Sequence, residues 1–363
     1  MRIEFTSGPR RRRLPRDIAR VKPAAQLKEH EIDTPITSTT TLLPVRCSIE
    51  LEPLPPYDFS LALRYIAASP SAVLERVSTD GVYRRALRIS GQDLVLSIRS
   101  LGTVMQPRLL LELYSDCAVS NAVLDAATAA VRRIFTLDSD SAPFLAVAER
   151  DLVFGVLLQA LSGVRPILIP DPFEALMWAV VGQQINVGFA RKLKLVLVEL
   201  AGRTLSTEVG DFALAPEPSA VAALDPESLR ARQFSRQKVE YVLELSRAVA
   251  TGELDFSTIA SLPTDEAITA ITHFKGAGRW TAEYVLMRGL GMRDSLPAGD
   301  LGIRAIIGRW YGMGRHASES EVREIAELWA GWRGWSAFYW WYVLQQKWMS
   351  PEECKAANGD VDH

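Results

Sequence analysis

One carboxylate stands out for its position in the chain. Asp300 follows the Gly/Pro-rich loop 296–299 and precedes a stretch with helical spacing that begins at Leu301. An aspartate at a helix N-cap is stabilised in its ionised form by the free amides and the dipole of the first turn. Such a fixed carboxylate can stabilise a developing positive charge and orient a water molecule. Asp300 is therefore a candidate for this role, with a plain helix cap as the alternative, whereas Asp294 and Glu283 are expected to be solvated or structural.

A second candidate site lies upstream, in a turn between two helical patterns. Gly276 and Gly278 permit a tight backbone turn without Cβ clashes. The amides at the start of the following helix then face outward, where they and the helix dipole can bind an anionic phosphate oxygen. Lys275 and Arg279 flank this turn as candidate phosphate contacts. An ordinary helix–helix corner is the alternative, and the two glycines alone would favour it.

Aromatic residues are concentrated near the end of the chain. Helical spacing over this segment indicates that most of the rings pack in the core, while Trp341 points away from the others. Six of the nine tryptophans belong to it: Trp329, Trp332, Trp335, Trp340, Trp341 and Trp348.

Several classes of function are excluded by composition. The three cysteines lie too far apart for a zinc or iron–sulfur site, and the four histidines lack zinc-hydrolase spacing. No apolar run reaches the 18 residues that a membrane span requires, so a soluble protein is expected. The net charge of −2 argues against indiscriminate coating of nucleic acid.

The pattern along the chain predicts an α+β fold in four parts. Residues 1–41, with four arginines at 10–13 and scattered prolines, are predicted to form a disordered basic arm. Residues 42–142 contain β-type runs at 43–51, 72–78, 83–89, 94–98 and 109–114, which predict an antiparallel sheet domain with helices. Helical patterns, including single helices at 226–249 and 280–289, predict an all-α core at 143–350. Residues 351–363 are predicted to be a flexible tail.

Together these segments resemble a known family. The segment 274–304 looks like the helix-hairpin-helix, Gly/Pro-rich loop and aspartate of the helix-hairpin-helix DNA glycosylase superfamily. Upstream, 171–174 followed by 182–186 resembles the first helix of the same core, and the sheet domain is similar to that of the AlkA-type DNA-3-methyladenine glycosylase II branch. The resemblance covers residues 42–350. It implies a core of two helical subdomains, with the hairpin motif at 264–290 and the catalytic loop at 296–304.

The resemblance also implies roles for individual residues. Asp300 corresponds to the catalytic carboxylate, and Trp280, Tyr284 and Trp341 match positions of the base pocket. Gln183 and Gln184 match the wedge that enters the DNA stack, although the best-known pattern has an apolar residue at Gln184. A glutamine there could hydrogen-bond the orphaned base instead. The hairpin residues implied to bind DNA phosphate are Lys275, Gly276, Ala277, Gly278, Arg279 and Thr281.

The implied activity is hydrolysis of the N-glycosidic bond of alkylated purines, 3-methyladenine and 7-methylguanine, which starts base-excision repair. The nucleotide must first be flipped out of the duplex. Alkylation makes a purine cationic, and an aromatic pocket attracts such a cation with ~0.5–2 kcal/mol. Relatives that also cut the strand carry a Schiff-base lysine where this chain has Trp280, so we expect a monofunctional glycosylase without lyase activity.

The expected partner is double-stranded DNA that contains damaged bases, bound by a monomer in the cytoplasm, in the nucleoid if the source is bacterial. No membrane association and no cofactor are expected. The resemblance implies that the carbonyls of Thr272, Phe274 and Ala277 could hold a structural Na⁺ or K⁺ at the hairpin. Two alternatives stay open: an 8-oxoguanine-type glycosylase of the same superfamily, and a non-catalytic DNA-damage-binding protein.

Overall fold

The structure is a computed structural model that describes residues 44–359. The predicted basic arm at 1–41 lies outside the described residues. Within 44–359, no helix is both long and apolar enough to cross a membrane.

A five-stranded antiparallel sheet forms the first part of the fold, in the order β1-β5-β4-β3-β2. Strands β3 and β4 are joined by a two-residue turn at Ser90 and Gly91, both with positive φ, which suits the twist of a tight hairpin. Each predicted β-run contains a strand, although the second forms only two residues of sheet. The strands are β1 Val45–Leu51, β2 Arg76–Val77, β3 Tyr83–Ile89, β4 Gln92–Ser100 and β5 Leu109–Tyr114.

Two helices cover one face of this sheet. Helix α1 (Phe59–Ala68) begins at Asp58, whose side chain accepts a hydrogen bond from the Leu61 amide. Helix α2 (Asn121–Ile134) begins at Ser120 in the same way, as a capping residue should. Their apolar sides bury Phe59 and Val131 in the main core, which is continuous with the core of the helical part.

The remainder of the chain is mainly helical, as the sequence predicts. Its helices are α3 Ala142–Ala148, α4 Leu152–Ala160, α5 Pro172–Gly182, α6 Val187–Ala201, α7 Pro218–Ala222, α8 Pro226–Ala231, α9 Arg236–Thr251, α10 Phe256–Ile259, α11 Thr264–Thr272, α12 Arg279–Tyr284, α13 Leu301–Trp310, α14 Glu319–Ala326, α15 Arg333–Gln346 and α16 Pro351–Gly359. A π-helical turn, Val285–Gly289, continues α12, and a 3₁₀ turn, Glu327–Trp329, continues α14.

One element of the helical core was not predicted. A β-hairpin follows α6, formed by β6 (Arg203–Thr207) and β7 (Gly210–Leu214). Phe212 and Leu214 pack against Ala86, Val95 and Tyr114 on the sheet face opposite α1 and α2. The hairpin forms because this second face of the sheet also has apolar side chains to bury.

Two predicted single helices are interrupted. The segment 226–249 divides into α8 and α9 because Gln233 has a left-handed backbone (φ 72°) and Ser235 caps a new helix. The segment 280–289 changes from α12 to the π-helical turn, in which the Leu290 amide donates to the Val285 carbonyl at 3.0 Å.

The predicted flexible tail is wrong for residues 351–359, which form α16. Its first turn is fixed by the Glu353 amide, which donates to Ser350 Oγ at 3.2 Å. Cys354 is fully buried where α16 packs against α4, so apolar burial orders the segment.

A buried charge network, which no sequence pattern indicated, joins the sheet domain to α5 and α6. Arg85 of β3 forms ion pairs with Glu75 and with Glu174 of α5. Lys194 of α6 donates to Glu174 Oε1 at 2.7 Å and to the Ser71 carbonyl at 2.8 Å. Since each charge has a partner of opposite sign, the network fixes how the two parts pack without leaving an isolated buried charge.

Candidate active site

Asp300 lies at the N-cap of α13, and its carboxylate is held by three N–H donors. Oδ1 accepts from the Ile303 amide at 2.9 Å and from Trp341 Nε1 at 3.2 Å, and Oδ2 accepts from Trp280 Nε1 at 3.2 Å. An acceptor-only carboxylate matches this set of three donors. The side chain is half-buried, so that solvent or a ligand can still reach it.

The two indoles that hold Asp300 belong to a continuous aromatic wall. The Trp280 and Tyr284 ring centroids are 5.6 Å apart, and so are those of Tyr284 and Trp341. Tyr284 and Trp341 are buried, whereas Trp280 is partly exposed. The structure thus brings together the three residues that the sequence analysis assigns to a base pocket and places Asp300 at their polar edge.

Close packing of α13 against α15 sets the position of this wall. A Cβ at Gly302 would lie 2.6 Å from Leu344 Cδ2 and 3.1 Å from Asp300 Oδ1. Glycine at this position lets α15 approach near enough for the Trp341 indole to reach Asp300.

The predicted hairpin is formed by α11, the turn at 274–278 and α12. Gly276 has φ 90°, and a Cβ there would lie 2.4 Å from Tyr241 Cγ, so glycine is required on both grounds. A Cβ at Gly278 would meet nothing within 4 Å, so the backbone there faces open space. The first amides of α12 have no acceptor within the helix and are therefore free to bind an anion at this point.

The predicted phosphate contacts differ in their exposure and in the groups they already bind. Lys275 and Arg279 are exposed and form ion pairs with Glu240 and Glu283, respectively. The Ala277 amide is used within the turn, since it donates to the Phe274 carbonyl at 3.1 Å. The Thr281 side chain is buried and its hydroxyl accepts from Gln183 Nε2, so only its backbone amide stays a candidate phosphate contact.

The structure does not turn Gln183 outward as a wedge would be, because its side chain is held by the hairpin. Its Nε2 donates to the Gly276 carbonyl at 2.8 Å and to Thr281 Oγ1 at 3.1 Å. Gln184, by contrast, is exposed and has a left-handed backbone with φ 57°. Gln184 therefore stays the wedge candidate, and Gln183 fixes the segment that carries it.

Lys238 is a functional candidate that the sequence did not indicate. From the first turn of α9 its Nζ donates to the carbonyls of Gln183 at 2.7 Å and Val180 at 3.2 Å, where α5 ends. Burial lowers the pKa of this lysine. Lys238, the hairpin and Gln184 line one groove of about 760 Å³. No periodic pattern could have revealed the contact, because it joins helices far apart in the chain.

The two weaker carboxylate candidates have structural contacts, as expected. Asp294 accepts from Arg333 Nε at 2.9 Å, and the Arg333 hydrogen bonds keep the pKa of Asp294 below its usual range despite partial burial. Glu283 is buried, and burial raises its pKa although Arg323 and Arg279 oppose the shift. It is therefore not solvated, and it anchors Arg279 beside the hairpin.

Backbone carbonyls at the hairpin suit a hard monovalent cation in their chemistry. The Phe274 carbonyl accepts one hydrogen bond, from Ala277, and retains a second lone pair. The Phe274 carbonyl therefore has a lone pair for the implied cation, which the carbonyls of Thr272 and Ala277 would hold with it.

Known families match both parts of the chain. Residues 48–169 match the AlkA N-terminal domain, and residues 177–331 match the HhH-GPD superfamily of base excision DNA repair proteins. A DNA-3-methyladenine glycosylase of Bacillus subtilis (strain 168) is 35% identical over 210 residues, 58% of this chain and 69% of the relative. DNA-3-methyladenine glycosylase 2 of Escherichia coli (strain K12) is 28% identical over 80% of this chain and 95% of its own length.

Solved structures with a similar fold include DNA glycosylases. The 3-methyladenine DNA-glycosylase from Archaeoglobus fulgidus superposes with a TM-score of 0.72 at 25% identity, over 82% of this chain and 98% of that one. An 8-oxoguanine glycosylase/lyase from Clostridium acetobutylicum, bound to DNA, gives 0.67 at 15% identity over 85% and 99%, which shows a common fold alone. The matched domains, the sequence identity and the site around Asp300 together show that the chain belongs to the DNA-3-methyladenine glycosylases of the HhH-GPD superfamily.

Proposed function

We propose that the chain is a monofunctional glycosylase that hydrolyses the N-glycosidic bond of 3-methyladenine and 7-methylguanine in duplex DNA. The observation that carries the proposal is the geometry of Asp300: a half-buried carboxylate fixed by three N–H donors at the edge of an aromatic wall. A carboxylate positioned in advance costs no reorganisation when positive charge develops on the sugar.

The substrate must leave the duplex to reach this site. The free amides in the first turn of α12 and the exposed Arg279 hold a phosphate of the damaged strand. Gln184 enters the gap that the flipped nucleotide leaves, and its amide hydrogen-bonds the unpaired base opposite. A modified base pairs or stacks less well, which lowers the cost of flipping.

The flipped base stacks on the wall formed by Trp280, Tyr284 and Trp341. Asp300 then faces the sugar, stabilises its oxocarbenium character as the bond to the base breaks, and orients a water molecule for attack on C1′. A purine that alkylation has made cationic leaves as a neutral base, so no strong general acid is required.

The lysines near the site support hydrolysis without strand cleavage. A lyase needs a free amine beside the sugar carbon, and Trp280 stands at the position where the resemblance places that amine. Lys275 is ion-paired with Glu240, and Lys238 donates to two carbonyls. Both amines are thus engaged by other groups of the protein.

A monovalent cation held by the carbonyls of Thr272, Phe274 and Ala277 would add positive charge to the phosphate site. Flipping, base stacking and hydrolysis are all assigned to residues of the chain itself. We further propose that the protein acts as a monomer on damaged double-stranded DNA, in the cytoplasm or nucleoid.

Release of free base from three duplexes tests the proposal. Duplexes with 7-methylguanine, with 8-oxoguanine and with undamaged guanine are incubated with excess protein, and products are analysed with and without alkaline cleavage of abasic sites. We expect release of 7-methylguanine only, with strand breaks appearing only after alkali. Release of 8-oxoguanine alone would favour the second glycosylase class, breaks without alkali would contradict monofunctionality, and binding without release would indicate a damage-binding protein.

A further inference from the structure

A buried arginine stands behind the aromatic wall, and the proposed reaction does not use it. Arg288, in the π-helical turn, is 5% exposed. Its guanidinium carbon lies 5.8 Å from the centroid of the Trp341 ring, 5.6 Å from that of Phe338 and 5.4 Å from that of Tyr65. The cation is thus surrounded by rings, one of which belongs to the base pocket.

The positive charge of Arg288 has no carboxylate partner among residues 44–359. Its one side-chain hydrogen bond there runs from Nη1 to the Tyr65 hydroxyl, and its buried Nε–H has no acceptor. Glu75, whose charge acts on Arg288, is already paired with Arg85, and Asp300 accepts from the indoles of Trp280 and Trp341. Because arginine stays protonated in proteins, the positive charge of Arg288 persists beside the Trp341 ring.

This charge acts against the attraction that the rings exert on a cationic base. Cation–π attraction favours alkylpurines with a positive charge. If the base stacks on the other face of Trp341, its charge and the guanidinium are about 10 Å apart. At an effective dielectric of about 20, the repulsion at this distance is enough for roughly a tenfold effect on the rate. It also stabilises the negative charge that develops on a neutral base as it departs.

We propose that Arg288 is a specificity-determining residue that shifts the substrate range from cationic alkylpurines toward neutral modified purines such as hypoxanthine. The inference rests on the proposed glycosylase function and refines its substrate class. The charge of Arg288 explains why an aromatic pocket need not restrict the protein to bases that carry a positive charge.

Relative excision rates test this role. Single-turnover rates on 7-methylguanine and hypoxanthine duplexes are measured with the same preparation of each variant, so that the fraction of folded protein cancels in their ratio. In Arg288→Met the 7-methylguanine/hypoxanthine ratio should rise roughly tenfold. Arg288→Lys keeps the charge, and Tyr65→Phe removes the hydrogen bond alone, so both should stay within about twofold of the wild-type ratio.

An unchanged ratio in Arg288→Met would overturn the inference, and so would an equal change in Tyr65→Phe, since that would indicate altered packing rather than charge. If the wild type releases neither base, the proposed function itself fails. If it releases both bases and the ratio of their excision rates does not depend on the charge at position 288, only the role of Arg288 in specificity fails.

A measurement on the wild type keeps the inference testable if Arg288→Met does not fold. Duplexes with 2′-fluorinated 7-methylguanosine, which resists hydrolysis, are compared for binding with duplexes carrying 2′-fluorinated 7-methyl-7-deazaguanosine, its neutral isostere. We expect no preference for the cation. A preference for the cation of more than about tenfold, the size of the Coulomb effect, would contradict a repulsive charge behind the pocket.

Discussion

Replacement of Asp300 by asparagine removes one negative charge from the proposed site and changes little else. At about 4 Å from the sugar carbon, and with the effective dielectric of about 20 that suits a half-buried group, a carboxylate stabilises a unit positive charge by about 4 kcal/mol. Loss of this term predicts a fall in the single-turnover rate of about three orders of magnitude.

The effect on stability should be far smaller. Asparagine caps helices as well as aspartate does, so the hydrogen bond from the Ile303 amide can persist. The amide NH₂ can no longer accept from one of the two indoles, which costs about 1 kcal/mol. Thermal unfolding and DNA binding should therefore change little while base release is nearly lost.

The assay is single-turnover release of 7-methylguanine by wild type, Asp300→Asn and a control, Asp225→Asn. Asp225 also caps a helix, accepting from the Ser228 amide at 2.8 Å, but it is exposed and remote in the chain from the aromatic wall. The control should keep the wild-type rate. An Asp300→Asn rate within tenfold of wild type would refute the assignment of the catalytic charge.

Three further predictions concern the hairpin, the wedge and a buried acid. Gly276→Ala should destabilise the protein by at least about 1–3 kcal/mol in urea unfolding, because its Cβ would overlap the Tyr241 ring. Gly278→Ala should leave stability unchanged and weaken DNA binding; equal losses of stability in both variants would contradict the proposed open face at Gly278. Gln183→Ala should lower stability by about 1–3 kcal/mol, because two hydrogen bonds are lost. Gln184→Ala should slow excision from paired DNA without lowering the melting temperature. If Gln183→Ala slows excision instead and Gln184→Ala lowers stability, Gln183 is the wedge. Burial raises the pKa of Glu283, so its contribution to stability is present below the ordinary glutamate range and is lost as pH rises through the raised folded-state value. In urea unfolding from pH 4 to 7, the wild type should therefore lose stability relative to Glu283→Gln. A difference between the two that does not depend on pH would show that the arginines cancel the cost of burial.

Local patterns in the sequence predicted most of the regular structure. The β-type runs at 83–89 and 109–114, for example, form β3 and β5 with the same bounds. The β6–β7 hairpin could not be predicted in this way, because its strands are stabilised by apolar residues of β3, β4 and β5 that lie far away in the chain. The same reason explains α16, which depends on burial of Cys354 against α4.

The sequence alone determined the candidate catalytic group, since Asp300 owes its position to a loop and a cap that are contiguous in the chain. Capping and turn chemistry act over a few residues, so they can be read without coordinates. Only the tertiary structure decided what surrounds that carboxylate. The indoles of Trp280 and Trp341 come from separate helices, Gln183 turns toward the hairpin, and Arg288 lies behind the rings because of long-range packing. Such contacts depend on how helices pack against one another, and helical periodicity specifies the buried side of a helix but not its partner.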